Sequence, residues 1–265
     1  MSNARLATVA NPIIDRLNSI RVGRSGAGQD EVGQIRFRLN GLRLVDKSSY
    51  YAVSGMLSVV EQDADGLREW GRKLASEFPD DVHSHLNILR SYIALRMRPE
   101  ARELARRLTA QIDNWSDASA LLVCSIHNGD LEETTATAQA FQKLVAHDAN
   151  RSDVGIVTEA HAIARQLLDS GVSSAEFQEF LDVAFDALAE KGWAAPHLTM
   201  DLPFVESCDE APIAFARFYI DAAEDVDSML DVEEAVMDSL LAAQTSLFRS
   251  SSICVAVRPA GDFHE

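Results

Sequence analysis

Cysteine is scarce in this chain of 265 residues: Cys124, Cys208 and Cys254 stand far apart, and no Cys-x-x-Cys pair occurs. A sparse, odd set of thiols argues against a disulfide framework or a zinc ribbon and fits small core side chains in a reducing compartment. Long apolar runs are missing as well. No stretch of ~18 apolar residues is available to span a bilayer, and the N-terminus lacks the apolar block of a secretory signal, so a soluble, cytoplasmic protein is expected.

The usual catalytic signatures are also lacking. There is no Gly-x-x-x-x-Gly-Lys-Ser/Thr loop to cradle a phosphate, no His-Glu-x-x-His to hold zinc and no Gly-x-Ser-x-Gly to present a nucleophile. Gly26 and Gly28 lack a third glycine at dinucleotide-binding spacing, which leaves GRSGAGQDEVG as a loop. Asp80, Asp81, His83 and His85 form a run of metal-binding residue types. Residues two apart on a helix lie ~200° apart around its axis, so His83 and His85 should face opposite sides. Glu159 and His161 meet the same objection. No cofactor and no metal is expected.

Positive charge is short in one half only. Residues 1–148 carry 19 acids and 18 bases, whereas residues 149–265 carry 22 acids and 6 bases. Nucleic-acid binding draws its affinity from clustered Lys and Arg on phosphates, so direct nucleic-acid binding is not expected; a basic protein surface is the better partner. Between Arg217 and Arg249 stand eight acids and no base: Asp221, Glu224, Asp225, Asp227, Asp231, Glu233, Glu234 and Asp238. They read as the solvated face of an amphipathic helix or, alternatively, as a docking surface for a basic partner or a surface that imitates nucleic-acid phosphate, which would make the chain an acidic inhibitor of a nucleic-acid-binding protein. Arg16, Arg21, Arg24, Arg36, Arg38, Arg43 and Lys47 form a basic counterpart near the N-terminus.

Three parts follow from the pattern along the chain: residues 1–47, 48–191 and 192–265. In the first, Asn11 reads as the cap of a short helix opened by Pro12 and carrying Ile13, Ile14, Leu17 and Ile20. QIRFRLNGLRL, residues 34–44, alternates on both sides of Asn40-Gly41 and reads as a β-hairpin. A helix remains the alternative, because Ile35, Leu39 and Leu42 also share one helical face.

From Lys47 to Lys191 the pattern is helical with short turns. Phe78-Pro79-Asp80-Asp81 ends one helix and caps the next, which carries Leu86, Ile88, Leu89, Tyr92 and Ile93; Pro99 then opens a helix with Ala101, Leu104, Ala105, Leu108 and Ile112 on one stripe. Shifting the frame by about 34 residues aligns three further pairs. They span residues 48–81, with Tyr51, Gly55, Leu67 and Leu74; 116–148, turning at Asn128-Gly129; and 157–190, turning at Gly171, with Phe177, Phe180 and Ala184.

On these residues the chain resembles the tetratricopeptide repeat family, with Gly55, Tyr92, Ala101, Phe180 and Pro79 at the family's small, large and helix-ending positions. The resemblance covers residues 47–191. It departs from the family at His85, Ser119 and Ala160, which replace the aromatic residue usual early in the first helix. It implies a mostly α fold, a solenoid of about four helix pairs, whose first helices line a wall where a peptide or partner protein lies. On that wall His83, Asn87, Arg90 and Ser91, with Ser119 and His127 in the next repeat, are the candidate partner-binding residues. A non-enzymatic adaptor, chaperone or regulatory subunit is the expected function.

Residues 192–212 hold three prolines and read as an irregular connection. Residues 212–223 and 224–247 read as helices, and Ile253–Val257 as a strand pairing with the proposed hairpin. An enzyme with a site around His197, Asp201 and Glu206 is the rival to the adaptor reading.

Overall fold

The computed structural model describes residues 3–22, 29–147, 154–193, 197–201, 214–220, 226–245, 247 and 253–259. The chain divides into two compact units, Met1–Cys124 and Ser125–Glu265.

The first unit is helical. It holds α1 (Asn3–Val22), α2 (Gln29–Val45), α3 (Lys47–Val60), α4 (Ala64–Glu77), α5 (Val82–Ala94) and α6 (Arg98–Thr109), and α7 (Trp115–His127) crosses its boundary. Two expectations are overturned here. Asn11 is no cap, because α1 begins at Asn3 and carries Pro12 inside it. Proline removes one helical hydrogen bond, but burial of Ala10, Ile13 and Leu17 on one stripe holds the helix together. Residues 34–44 form no hairpin and lie within α2. A glycine inside a helix costs about 1 kcal/mol. Burial of Ile35, Leu39 and Leu42 against α1 and α3 outweighs it, since each such side chain contributes about 1.5–3 kcal/mol.

The turn between paired helices is built the same way each time. The backbone enters the left-handed region at Gln62 (φ 55), Arg96 (φ 55), Gly129 (φ 75) and Gly171 (φ 82). The residue that follows each of them, Asp63, Met97, Asp130 or Val172, donates its N–H to the carbonyl of Ser58, Tyr92, Ser125 or Leu167, at 2.8–3.3 Å. This six-to-one closure satisfies a carbonyl at the end of the first helix. The next helix starts at once, capped by the Asp63 carboxylate in α4 and opened by Pro99 in α6. Successive turns lie 34, 33 and 42 residues apart.

Glycines set the approach of helices in the first unit, where α3 packs on both α4 and α5. A Cβ on Gly55 would overlap Ile88 and crowd Leu67, and a Cβ on Gly71 would overlap the Tyr92 hydroxyl.

The second unit mixes helix and sheet. Its elements are α8 (Leu131–His147), α9 (Val154–Asp169), α10 (Ser174–Glu190), β1 (His197–Asp201), β2 (Ala214–Ile220), α11 (Val226–Ala242) and β3 (Ile253–Pro259). Ser173 caps α10 through a reciprocal box with Glu176. The strands form one sheet in the order β1-β2-β3, antiparallel between β1 and β2 and parallel between β2 and β3. Parallel neighbours need a long crossover, and α11 supplies it.

Three expectations fail in this unit. Residues 214–220 are the central strand of the sheet rather than helix: AFARFYI is rich in aromatic residues and buries Ala216 and Phe218 at a spacing of two. The span read as irregular contains β1. Ile253–Val257 is a strand, as expected, but its partner is β2, because the predicted hairpin is helical. Phe177, Phe180, Leu181, Phe218, Val236 and Val255 belong to one apolar core.

Candidate partner-recognition surface

Two kinds of side chain gather on the first helix pair. Tyr50 and Tyr51 come from α3, and Trp70 comes from the facing side of α4. Their ring centroids lie 5.6 Å apart for Tyr50–Trp70, edge to face, and 5.9 Å apart for Tyr51–Trp70, stacked. Phe78, just past α4, meets Tyr51 edge-on at 6.2 Å. Tyr51 is buried, while Tyr50, Trp70 and Phe78 keep part of their surface in solvent. Trp115 and Trp193 are buried, so Trp70 is the only tryptophan of the chain with appreciable exposure.

A polar rim fixes these rings. Tyr51 donates its hydroxyl to Glu77 at 2.7 Å and Lys47 donates to the same carboxylate at 2.5 Å. Hydrogen bonds from Lys47 and Tyr51 hold the Glu77 carboxyl below its ordinary range. The Lys73 ammonium sits 4.4 Å from the Trp70 ring centre, and that of Lys47 sits 5.6 Å from the Tyr51 ring centre. Both are within cation–π range. Half-exposed Tyr and Trp rings with charged neighbours offer large contact area at low entropic cost.

Behind this surface a hydrogen-bonded seam ties three helices together. Asp81 caps α5 by accepting from the Ser84 N–H at 3.1 Å, and it also accepts from the Ser48 hydroxyl of α3. Burial pushes its carboxyl upward, but the hydrogen bonds from Ser48 and Ser84 prevail and hold it below its ordinary value. His85, only 1% exposed, donates from Nε2 to the Phe78 carbonyl at 3.1 Å and accepts at Nδ1 from Arg107 of α6 at 2.9 Å. Burial first, and the Arg107 charge second, lower its pKa. The imidazole is neutral at pH 7 and acts as a strut.

The residues proposed from sequence divide clearly. His83 and Arg90 are exposed on α5, whereas His85 is buried, so the two histidines of that run point apart as helical geometry requires. Asn87 is buried between His83 and Arg90 on the stripe and accepts from Arg90 at 3.4 Å. Ser91 is a correction: it is fully buried, and its hydroxyl donates to the Asn87 carbonyl, so it presents nothing to a partner. Ser119 and His127 are half-buried and belong to different units. Asp231 and Glu234 are exposed on α11, and Asp227 lies in its first turn. Asp221, Glu224, Asp225 and Glu206 lie outside the described residues; His197 and Asp201 bound β1.

The sequence reading did not single out Trp70, Tyr50, Lys73 or Arg107. A signal was present, since Tyr50, Tyr51, Trp70 and Phe78 fall within one helix pair and Trp70 lies off its Leu67–Leu74 stripe. Among the described residues no group of three or more His, Cys, Asp or Glu side chains is placed to hold a metal ion, and no described helix is long and apolar enough to cross a membrane. Cys124 is buried, and burial raises its pKa despite the nearby Arg90, so it is no activated nucleophile. Compared with protein-family models, curated proteins and solved structures, the chain matches none.

Proposed function

We propose that this chain is a non-enzymatic protein-recognition module that takes a peptide or partner protein on the surface of its first helix pairs. The observation that carries this reading is the half-exposed Tyr50–Trp70 corner with Lys47, Lys73 and Glu77 around it. Rings in contact with one another are already ordered, so a ligand stacking on them meets a preformed surface and forfeits little side-chain entropy. Tyr, Trp and Arg are the residue types that dominate binding energy at protein interfaces. His83 and Arg90 are exposed on α5, which packs on α3, and in this reading they add a charged donor to the partner-facing residues. Repeated helix pairs of this kind support the tetratricopeptide-like reading, in which function is adaptor or regulatory work.

The test is a peptide library panned against the full chain, followed by titration of the selected peptide while Trp70 emission is recorded. Binding should perturb that emission, and Arg90→Glu and Trp70→Ala should each weaken affinity at least about tenfold, the loss of a single interfacial anchor. Selection of peptides that bind Trp70→Ala and Arg90→Glu as tightly as the unaltered chain rules this surface out.

A further inference from the structure

Five large apolar side chains stand exposed among the described residues, and they occupy only two helices. Phe37 (80% exposed), Leu44 (87%) and Val45 (56%) are on α2; Leu230 (56%) and Leu241 (58%) are on α11. At roughly 100° per residue, Gly33, Phe37, Gly41 and Leu44 fall within one narrow stripe of α2, opposite the buried Ile35, Leu39 and Leu42. Arg38 borders this stripe on one side, Arg36 and Arg43 on the other, all three exposed. On α11 the exposed stripe is Leu230, Glu234 and Leu241, bordered by Asp231 and Asp238, opposite the buried Val232, Val236 and Leu240.

Gly33 and Gly41 mark the α2 face as a contact surface. Both lie inside the helix, where glycine is unfavourable, and neither adopts a backbone conformation that requires it. A Cβ at either position would meet nothing within 4 Å. By contrast, Gly55 and Gly71 of the same unit are explained by the helices that press on them. Among the described residues nothing fills the space above the two glycines of α2, and small residues flanking a large one let a second helix backbone come close.

We propose that the outer face of α2 docks onto α11 of a second copy of this chain. The assignment rests on complementarity. One face carries Phe37 and Leu44 with arginines along both borders and Asp30 at its N-terminal end; the other carries Leu230 and Leu241 with Glu234 beside them and Asp231 and Asp238 along one border, so juxtaposition brings exposed apolar side chains together and sets arginines against carboxylates. An isologous contact of α2 with α2 would set arginine against arginine, and α11 with α11 would set carboxylate against carboxylate. A contact between two different surfaces is made reciprocally in a closed pair or repeats from copy to copy in a ring or chain, and in either case association grows with concentration. Neither helix carries a residue of the Tyr50–Trp70 corner, so loss of peptide binding and loss of self-association are separable results.

Sedimentation velocity of the full chain over a wide concentration range reads the contact directly. The expected result is a weight-average mass that rises with concentration and falls back at high salt. Arg38→Glu with Arg43→Glu, and separately Asp231→Lys with Glu234→Lys and Asp238→Lys, should each weaken association at least tenfold. Mixed together, the two variants should associate again, because the reversed α2 face now matches the reversed α11 face. Gly33→Ala with Gly41→Ala should raise Tm by a few degrees while weakening association, a combination that a purely structural role for these glycines does not produce. Circular dichroism and Tm confirm that the charge variants fold, and Phe37→Ser with Leu44→Ser, both highly exposed, provides a second disruption if they do not. A chain that stays monomeric at every concentration overturns the proposal, as does association unchanged by either charge reversal. Co-sedimentation of the monomer with anionic lipid vesicles, lost in Phe37→Ser with Leu44→Ser, assigns the α2 face to a lipid surface and overturns it equally.

Discussion

In the unit Met1–Cys124, α3 meets α5 through small groups: Gly55 lies under Ile88, and Ser48 joins Ser84 and Asp81. In the unit Ser125–Glu265, Phe177, Phe180 and Phe218 fill a core shared by helices and a three-stranded sheet. The contrast separates two ways of holding amphipathic helices. Close backbone approach with a hydrogen-bonded seam demands particular atoms at particular places, so it is specific but sensitive to any added volume. A core of aromatic rings gains its stability from area, so it suffers most when a ring is removed. The first arrangement leaves Tyr50 and Trp70 at the surface, where a partner can use them; the second buries Phe177, Phe180 and Phe218.

Breaking each arrangement in its own way should give different costs. Phe180→Ala removes a fully buried ring from the second unit and should destabilise that unit by about 3–5 kcal/mol. Denaturant unfolding followed by Trp193 emission in that unit is the measurement, with Trp70 and Trp115 reporting on the first unit. Gly55→Val adds volume where none is free and should cost the first unit about 1–3 kcal/mol, seen in the other two tryptophans. If Gly55→Val were neutral while Phe180→Ala unfolded both units together, the distinction between the two cores would collapse.

The seam predicts a pH dependence confined to the first unit. His85 has a folded pKa below its ordinary value of 6.5, so the unfolded chain takes up the proton first as pH falls. Its contribution is complete above about 6.5 and drains away as pH drops toward the folded value. Asp81, held below its ordinary value of 3.8, contributes fully above that value and loses its contribution as pH falls through the folded pKa. Asp81→Ala should cost about 1 kcal/mol at neutral pH through loss of the α5 cap and should flatten the acid limb below pH ~4. Arg107→Met should cost about 1 kcal/mol through the lost hydrogen bond to His85 and bring the upper limb closer to that of an ordinary histidine. Equal acid sensitivity in the Trp193 signal and in the first unit would contradict this assignment. The smallest effect is a gain: Arg96→Gly should stabilise the turn between α5 and α6 by up to about 1 kcal/mol, because only glycine adopts a φ of 55 without steric cost.

Much of the helical part was legible. Asp81 caps α5 and Pro99 opens α6, as the sequence signals imply, and Gly129 and Gly171 mark turns because they take the left-handed conformation. Local chemistry decides those features, and local chemistry is what a sequence displays. Residues 34–44 and 214–220 were misread for a different reason. Asn40-Gly41 is the strongest short signal for a hairpin, yet Ile35, Leu39 and Leu42 find a core against α1 and α3 that only the folded unit supplies. AFARFYI is too short for periodicity to decide, and its strand state depends on β1 and β3, both distant in sequence. The proposed binding residues were half legible. Helical spacing put His83 and Arg90 outward, but it gave no account of Ser91 lying under the stripe, and Trp70 entered the surface only through tertiary contact with Tyr50.

The recognition reading stands or falls on what touches the Tyr50–Trp70 corner inside a cell. A photo-crosslinking amino acid replacing Tyr50 in the full chain, activated in living cells, should yield one dominant adduct that disappears when Arg90→Glu is added and is absent when the crosslinker replaces Asp65 on the exposed side of α4. A diffuse set of adducts, the same at positions 50 and 65 and indifferent to Arg90→Glu, would contradict it.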